Sequence, residues 1–132
     1  MEKIVIMDCE TQRLELVQVK KKDFDLIYMQ KVVGGIIDIP YISEQLDDMG
    51  IDTVINDEGK LLGLPINFVI VNGTKVCDFV VGNVLFCGHD DEGNSIGLNK
   101  EQLHFLDGVF NQAIEFPSKD GLRLLPTLQF YK

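Results

Sequence analysis

The sequence predicts an α+β domain in which a largely antiparallel sheet is covered on one face by two amphipathic helices. Segments with strand-like apolar patterns outnumber the two segments with helical periodicity. Short turns join several of these strands, which is typical of antiparallel pairing. The predicted element order is β-β-α-β-β-β-β-α, followed by a less regularly patterned tail.

The opening of the chain predicts a hairpin and a helix. Residues 3–8 are rich in β-branched side chains, and residues 13–19 alternate apolar and polar side chains. In residues 21–35 the apolar positions change to the spacing of one helical face. Asp23 is the predicted N-cap, and Gly34 is placed where helices commonly end in a left-handed residue.

The middle of the chain predicts an edge strand, a single helical turn and a second hairpin. The strand is residues 36–42, and Pro40 removes a backbone donor, so this strand should lie at a sheet edge or end near Pro40. Residues 43–50 are mostly polar and are predicted to hold one helical turn. Residues 51–56 and 60–65 flank the tip Asp-Glu-Gly and are predicted to pair as a hairpin.

The most continuously apolar part of the chain follows. Residues 67–73 predict a strand, and residues 77–88 predict a central strand, because a strand buried on both faces loses its alternation. Residues 89–97 contain contiguous acidic residues and are predicted to be a hairpin tip. They do not match a calcium loop, which needs oxygen ligands at alternating positions.

The C-terminal part predicts a long helix and a short strand. The helix covers residues 98–116, with Asn99 as its cap and Gln102 three residues later in a capping-box arrangement. Pro117 is expected to end it. Residues 125–132 predict the final strand. With no linker or repeat, residues 1–132 are expected to form a single domain.

The net charge limits the possible partners. The formal charge is −9, from 21 acidic and 12 basic residues. Such a chain is expected to repel nucleic-acid backbones and anionic membranes, so it should not bind nucleic acid through a basic face. The acidic surface serves solubility, or it engages a basic partner; both readings remain open.

The cysteines and the opening segment predict a cytoplasmic protein. Cys9, Cys77 and Cys87 are odd in number and lie in or beside apolar segments, which fits buried, reduced thiols better than a disulfide scaffold. The first ten residues contain too short an apolar run for a signal peptide. No segment reaches the roughly 18 apolar residues of a membrane span.

No catalytic, metal or cofactor motif is predicted. Cys87 and His89 are one residue apart, but the paired spacing of structural zinc ligands is absent from the sequence. No serine lies in a nucleophile-elbow context, and the apolar surroundings of the cysteines should not activate a thiol. We therefore predict no catalytic residues, no metal ligands and no cofactor.

Residues 56–67 are the one candidate for ligand binding. Lys60 follows Gly59 and lies three residues before Gly63, where it could meet an anionic ligand or could be a solvated turn residue. Asn56 and Asn67 stand at either end of this segment. Asn56, Lys60, Gly63 and Asn67 are therefore the candidate ligand-binding residues.

Three segments resemble a small domain family of unknown function found in phages, prophages and conjugative elements. They are residues 29–39 with a Val-Gly-Gly-x-Ile pattern, residues 54–67 with Asn-x-Glu-Gly-Lys-x-x-Gly-x-Pro-x-Asn, and residues 78–86 with Val-x-Gly-x-Val. The resemblance covers about residues 1–105. The helix and tail of residues 99–132 extend beyond the family pattern and are a candidate for a function of their own.

This resemblance implies a binding protein of a mobile element, expected to act against host defence. One version sequesters an anionic nucleotide signal in a pocket with Lys60, and a homo-oligomer could complete such a pocket between subunits. The other version inhibits a host defence protein through the acidic surface. The alternatives are an accessory or structural interaction domain without a small ligand and, third, a nucleotide-acting enzyme.

Overall fold

The computed structural model describes residues 1–118 and 121–131, which form ten β-strands, three α-helices and one short 3-10 helix. The strands are β1 (Glu2–Met7), β2 (Leu14–Val19), β3 (Ile37–Asp38), β4 (Asp52–Asn56), β5 (Ile66–Asn72), β6 (Lys75–Val81), β7 (Val84–His89), β8 (Ser95–Ile96), β9 (Gln112–Ser118) and β10 (Gly121–Gln129). The α-helices are α1 (Leu26–Val33), α2 (Glu44–Asp48) and α3 (Lys100–Val109), and the 3-10 helix is Lys21–Asp23.

The strands form two sheets. The first sheet has the order β2-β1-β7-β4-β3, with β8 paired to β7, and the second has the order β6-β5-β10-β9. Every pair is antiparallel except β5 with β10, which is parallel. The α+β class with a largely antiparallel arrangement is therefore confirmed.

The helices lie on opposite faces of the first sheet rather than on one face. Met29 of α1 packs in one cluster with Ile4 and Leu85, whereas Leu106 of α3 packs in another that includes Phe86. Leu85 and Phe86 are successive residues of β7, and successive side chains of a strand point to opposite faces. One face of the first sheet is thus covered by α1, and the other faces the main core.

The main core lies between the two sheets. Phe68 of β5 and Leu128 of β10 meet Phe86 of β7 there, and all three are fully buried. Burial of such a side chain contributes roughly 1.5–3 kcal/mol. The ring of Phe110, just after α3, packs edge-on against Phe68 with 4.9 Å between centroids. This face of the first sheet is therefore covered by the second sheet together with α3, whereas α1 covers the other face.

The prediction of one central strand over residues 77–88 was wrong. The chain turns at Gly82, whose φ of 75° suits a residue without a side chain. As a result β6 becomes an edge strand of the second sheet, and β7 becomes a central strand of the first. Only the second half of the apolar segment is central.

The predicted hairpin between residues 51–56 and 60–65 was also wrong. The second segment forms consecutive turns, in which the Leu62 N–H donates to the Glu58 carbonyl at 2.9 Å and the Leu64 N–H to the Gly59 carbonyl at 3.1 Å. β4 pairs instead with β3 and β7. The apolar side chain of Leu61 contributes to the strand-like pattern of this segment, yet it is 88% exposed and not part of a buried strand.

The helix predicted over residues 98–116 is only half helical. The capping box of Asn99 and Gln102 is confirmed, but α3 ends at Val109 and β9 follows. Ile114 pairs with Leu125 and contacts the cluster of that residue on the second sheet. Pairing with β10 therefore overrides the helical period of this segment, and Pro117 lies within the edge strand β9 rather than at a helix end.

Other local predictions hold. Gly34 ends α1 in the left-handed conformation, although the N-cap is Asp25 rather than Asp23. The short strand β3 lies at the edge of its sheet, as Pro40 predicts. Residues 43–50 contain one short helix, and the tail contains a strand that is longer than predicted.

Among the described residues, no helix has the length and apolarity needed to cross a membrane.

Candidate functional site

A cleft of about 500 Å³ opens between the two sheets, where β4 and β6 approach each other. Its walls are mainly apolar and aromatic, with a few charged side chains. The lining residues are Pro40, Tyr41, Ile42, Ile55, Asn56, Asp57, Lys60, Leu61, Ile70, Cys77, Asp78, Phe79, Val80, Val81 and Phe130.

The cleft follows the edge of β6. Five consecutive residues of this strand, residues 77–81, line it. Since β6 ends the second sheet, the side of this strand away from β5 is not paired with any described strand. Residues 77–79 are its accessible part in the cleft, because Val80 and Val81 are only 4% and 6% exposed, and the pairing with β5 is irregular at Cys77. The opposite wall is residues 40–42, which follow β3, the edge strand of the first sheet.

A charged and aromatic cluster lies in the wall formed by β6. The Lys60 Nζ donates to Asp78 Oδ1 at 2.7 Å and lies 4.4 Å from the centroid of the Phe79 ring. The same carboxylate oxygen accepts the backbone N–H of Phe79 at 2.8 Å. Both side chains of the ion pair are more than half exposed, at 56% and 57%. The positive charge of Lys60 is therefore already paired.

These contacts lower the pKa of Asp78. Desolvation raises this pKa, but the hydrogen bonds from Lys60 and from the Phe79 N–H, together with the lysine charge, outweigh it. The net result is a pKa below the ordinary value for aspartate. Asp78 is thus ionised at neutral pH and holds two donors.

Two aromatic side chains of the cleft lining, Tyr41 and Phe130, contact each other. The rings of Tyr41 and Phe130 meet edge-on with centroids 5.9 Å apart. Phe130 is held by two backbone hydrogen bonds, from its N–H to the Val71 carbonyl and from the Glu44 N–H to its own carbonyl, each 2.8 Å long. Partial desolvation raises the pKa of Tyr41, and the nearby carboxylates of Asp47 and Glu44 raise it further. This part of the lining is aromatic and lies close enough to carboxylates to feel their charge.

Asn56 and Lys60 lie together on the cleft, yet the Asn56 side chain already has structural partners. Its amide nitrogen donates to the Val33 carbonyl at 3.1 Å, and its Oδ1 accepts from the Glu58 N–H at 2.8 Å. A Cβ at Gly35 would lie 3.0 Å from this amide. Asn56 therefore joins the end of α1 to the turn that carries Lys60.

Asn67 and Gly63 are outside the cleft lining. Asn67 is fully buried, and its Nδ2 donates to the carbonyls of Met7 at 2.8 Å and Gly82 at 2.9 Å. Gly63 has a φ of 67° and supports the turn. Of the four candidate residues, Asn56 and Lys60 therefore line one cavity. Asn67 instead joins the second sheet to the first through its hydrogen bonds.

The three cysteines occupy different environments. Cys9 and Cys87 are buried, and burial raises the pKa of Cys87 to about 12. Cys77, in contrast, is exposed on β6 and lines the cleft. The prediction of buried thiols is therefore wrong for Cys77, because β6 lies at the edge rather than the centre of a sheet.

The remaining candidate ligands do not converge. His89 Nδ1 lies 3.1 Å from an oxygen of Asp52, in a pair separate from the cleft lining. Across residues 1–118 and 121–131, no group of three or more His, Cys, Asp or Glu is placed to hold a metal ion. Tyr41, Asp78 and Phe79 were not predicted as site residues, because each lies in a segment whose pattern indicates only a strand.

Comparison with known proteins assigns the chain to a family. Residues 1–111 match the family described as Domain of unknown function (DUF3846), and the chain belongs to it. No curated protein and no solved structure gives a significant match. The matched part includes most of the cleft, but Phe130 lies beyond it, in the segment that β9 and β10 precede.

Proposed function

We propose that this chain is a small binding protein whose inter-sheet cleft receives part of a protein partner. The observation that carries the proposal is the cleft itself: about 500 Å³, apolar and aromatic walls, and a paired charge at Lys60 and Asp78. Binding sites are commonly concave and mostly apolar, with a few polar groups that fix orientation. An apolar side chain of a partner would fit between Tyr41 and Phe79.

We further propose that the partner is a host defence protein and that binding blocks it. This part rests on the resemblance of the sequence to domains of phages and conjugative elements. The acidic surface supports the choice of a protein partner, since a formal charge of −9 attracts basic surfaces and speeds encounter with them.

Two neighbouring leucines provide a matched test of the cleft. Leu61 and Leu62 are both exposed on the same turn, but only Leu61 lines the cleft. We expect Leu61→Ser to weaken capture of the partner about tenfold or more, because a leucine buried on binding contributes roughly 2 kcal/mol. Leu62→Ser should leave capture unchanged.

The measurement is capture from a host lysate, followed by titration of the purified partner against wild type and both variants. If Leu61→Ser captures the partner as strongly as wild type does, the cleft does not bind the partner.

The role in defence is tested by phage plating on a host with a defence system. Plating efficiency should rise with the wild-type protein and not with Leu61→Ser; no rise with any system contradicts the role.

A second candidate function is sequestration of an anionic nucleotide, and a different site favours it. A groove of about 590 Å³ is lined by three lysines and one carboxylate, Glu2, which leaves an excess of positive charge on a chain that is acidic as a whole; the lysines are Lys3, Lys21 and Lys100. Lys60, the lysine suggested by the sequence, is less suitable because Asp78 pairs with it. The phosphate of a nucleotide would be attracted to the groove.

Thermal unfolding with a panel of cyclic and linear nucleotides tests this second candidate. A ligand at one hundred times its Kd stabilises the folded state by about 2.7 kcal/mol. The shift should disappear in the double variant Lys21→Glu/Lys100→Glu and persist in Lys75→Glu, which changes an exposed lysine on β6 outside the groove. If no nucleotide shifts the transition, sequestration is excluded.

A further inference from the structure

The free edge of β6 offers backbone groups to a partner. In the part of the chain that the structure describes, β6 pairs only with β5 and ends the second sheet. Residues 77–79 are the accessible part of this edge in the cleft, a length of roughly 10 Å at about 3.3 Å per residue, since Val80 and Val81 are buried. A strand edge beside an open cleft is the geometry on which extended peptides add to a sheet.

The Asp78 side chain satisfies a backbone donor of this strand edge. Its carboxylate accepts the Phe79 N–H at 2.8 Å, so that donor is satisfied without a neighbouring strand. Lys60 holds the carboxylate in place from the adjacent turn. Natural proteins commonly place charged side chains on edge strands to prevent uncontrolled pairing. An incoming strand would replace the carboxylate with its own carbonyl oxygen.

The charge around the cleft selects the kind of peptide. Among the described residues that line the cleft, Lys60 is the only cation, and it is paired with Asp78. Asp57 also lines the cleft, and Asp47 and Glu44 act electrostatically on Tyr41, another lining residue. An extended segment with basic residues therefore complements this site, while its apolar residues face the aromatic wall.

We infer that the partner contributes an extended, basic segment that adds to the free edge of β6 as a further strand. This inference rests on the proposed function, since it places the partner in the same cleft, and it adds the partner's chemistry and conformation. The other edge of the second sheet, β9, contains Pro117, which has no backbone donor, and none of the described β9 residues lines the cleft.

The exposed thiol of Cys77 provides a direct readout, because it lies on β6 in the cleft whereas Cys9 and Cys87 are buried. The probe is an acetylated and amidated heptapeptide of alternating lysine and valine. Two control peptides are a copy methylated on alternate backbone nitrogens and a copy with glutamate in place of lysine. We expect the lysine peptide to slow alkylation of Cys77 by maleimide at least fivefold at saturation, and both controls to have little effect.

Amide shifts in NMR spectra locate the bound probe. The largest changes should fall on residues 75–81. Equal protection by the methylated peptide would overturn strand addition, since that peptide keeps the side chains and loses backbone donors. Shifts confined to β9 would overturn the choice of edge. If no peptide protects Cys77 while partner capture still depends on Leu61, strand addition fails and the proposed cleft function stands.

Discussion

The Lys60 ammonium lies 2.7 Å from the Asp78 carboxylate, which also accepts the backbone N–H of Phe79. This pair joins the turn after β4 to β6, the edge strand of the other sheet. Both side chains are more than half exposed, so the pair contributes less than about 1 kcal/mol to stability. Its main effect is to fix the position of a carboxylate over the strand edge.

Replacing the lysine tests this arrangement. We expect Lys60→Met to raise the pKa of Asp78, because the variant removes a hydrogen bond and a positive charge that stabilise the carboxylate. The measurement is an NMR titration of the side-chain carboxyl groups. Lys75→Met is the control, since Lys75 is an exposed lysine at the start of the same strand. An Asp78 pKa that is the same in wild type and Lys60→Met would contradict the geometry.

The pH dependence of stability follows from the direction of the same shift. A carboxyl group whose pKa is lowered in the folded state stabilises that state above the unfolded pKa, near 3.8 here, and the contribution is lost as pH falls through the folded pKa. The small stability difference between wild type and Lys60→Met should therefore be present at neutral pH and disappear at acidic pH, once the pH falls below the lowered folded-state pKa of Asp78. Urea unfolding at neutral and at acidic pH measures it.

Local capping and edge signals predicted the fold best. The Asn99–Gln102 capping box and the left-handed Gly34 depend on neighbours a few residues away, so they can be read from sequence. The segment after Val109 shows the limit of such signals. Its apolar spacing fits a helix, but pairing with β10 makes it a strand. Whether this segment forms a helix or a strand depends on the strand available to pair with it, which its own sequence does not reveal.

The candidate site was predictable only in part. Lys60 stood out because of the glycines around it, and it does line a cavity. Asn67 has a polar side chain in the same motif, but that side chain is buried between two sheets, whereas the sequence pattern predicts one sheet. Tyr41 and Phe130 are far apart in sequence and meet only through packing. No local pattern connects them.

Removing the Asn67 amide should destabilise the fold strongly. Its Nδ2 satisfies the carbonyls of Met7 and Gly82, and leaving both buried acceptors without a donor costs about 2–4 kcal/mol. We therefore expect Asn67→Ala to reduce the free energy of unfolding by this amount in a urea titration. Asn72→Ala, at the exposed end of the same strand, is the control and should change it by less than about 0.5 kcal/mol. Equal effects in both variants would show that Asn67 does not join the sheets.

Two glycines with positive φ should respond differently to alanine. At Gly82 an added Cβ would lie 2.9 Å from the end of the Leu64 side chain, whereas at Gly63 it would meet nothing within 4 Å. Both variants incur the left-handed backbone cost of about 1–2 kcal/mol. Gly82→Ala should be the less stable one, since Leu64 must also move. Thermal unfolding of both variants ranks them, and the reverse order would contradict the packing at the turn between β6 and β7.

The thiols should react in an order set by burial. Cys77 is exposed and should consume one equivalent of a thiol reagent rapidly at pH 8, while Cys9 reacts slowly because burial raises its pKa. Cys87, with a pKa of about 12, should react only when the protein unfolds, since the thiolate is the reactive form. Stopped-flow titration of wild type and Cys77→Ser separates these phases. A fast equivalent that survives in Cys77→Ser would place the exposed thiol elsewhere and remove the basis for using Cys77 as a probe of the β6 edge.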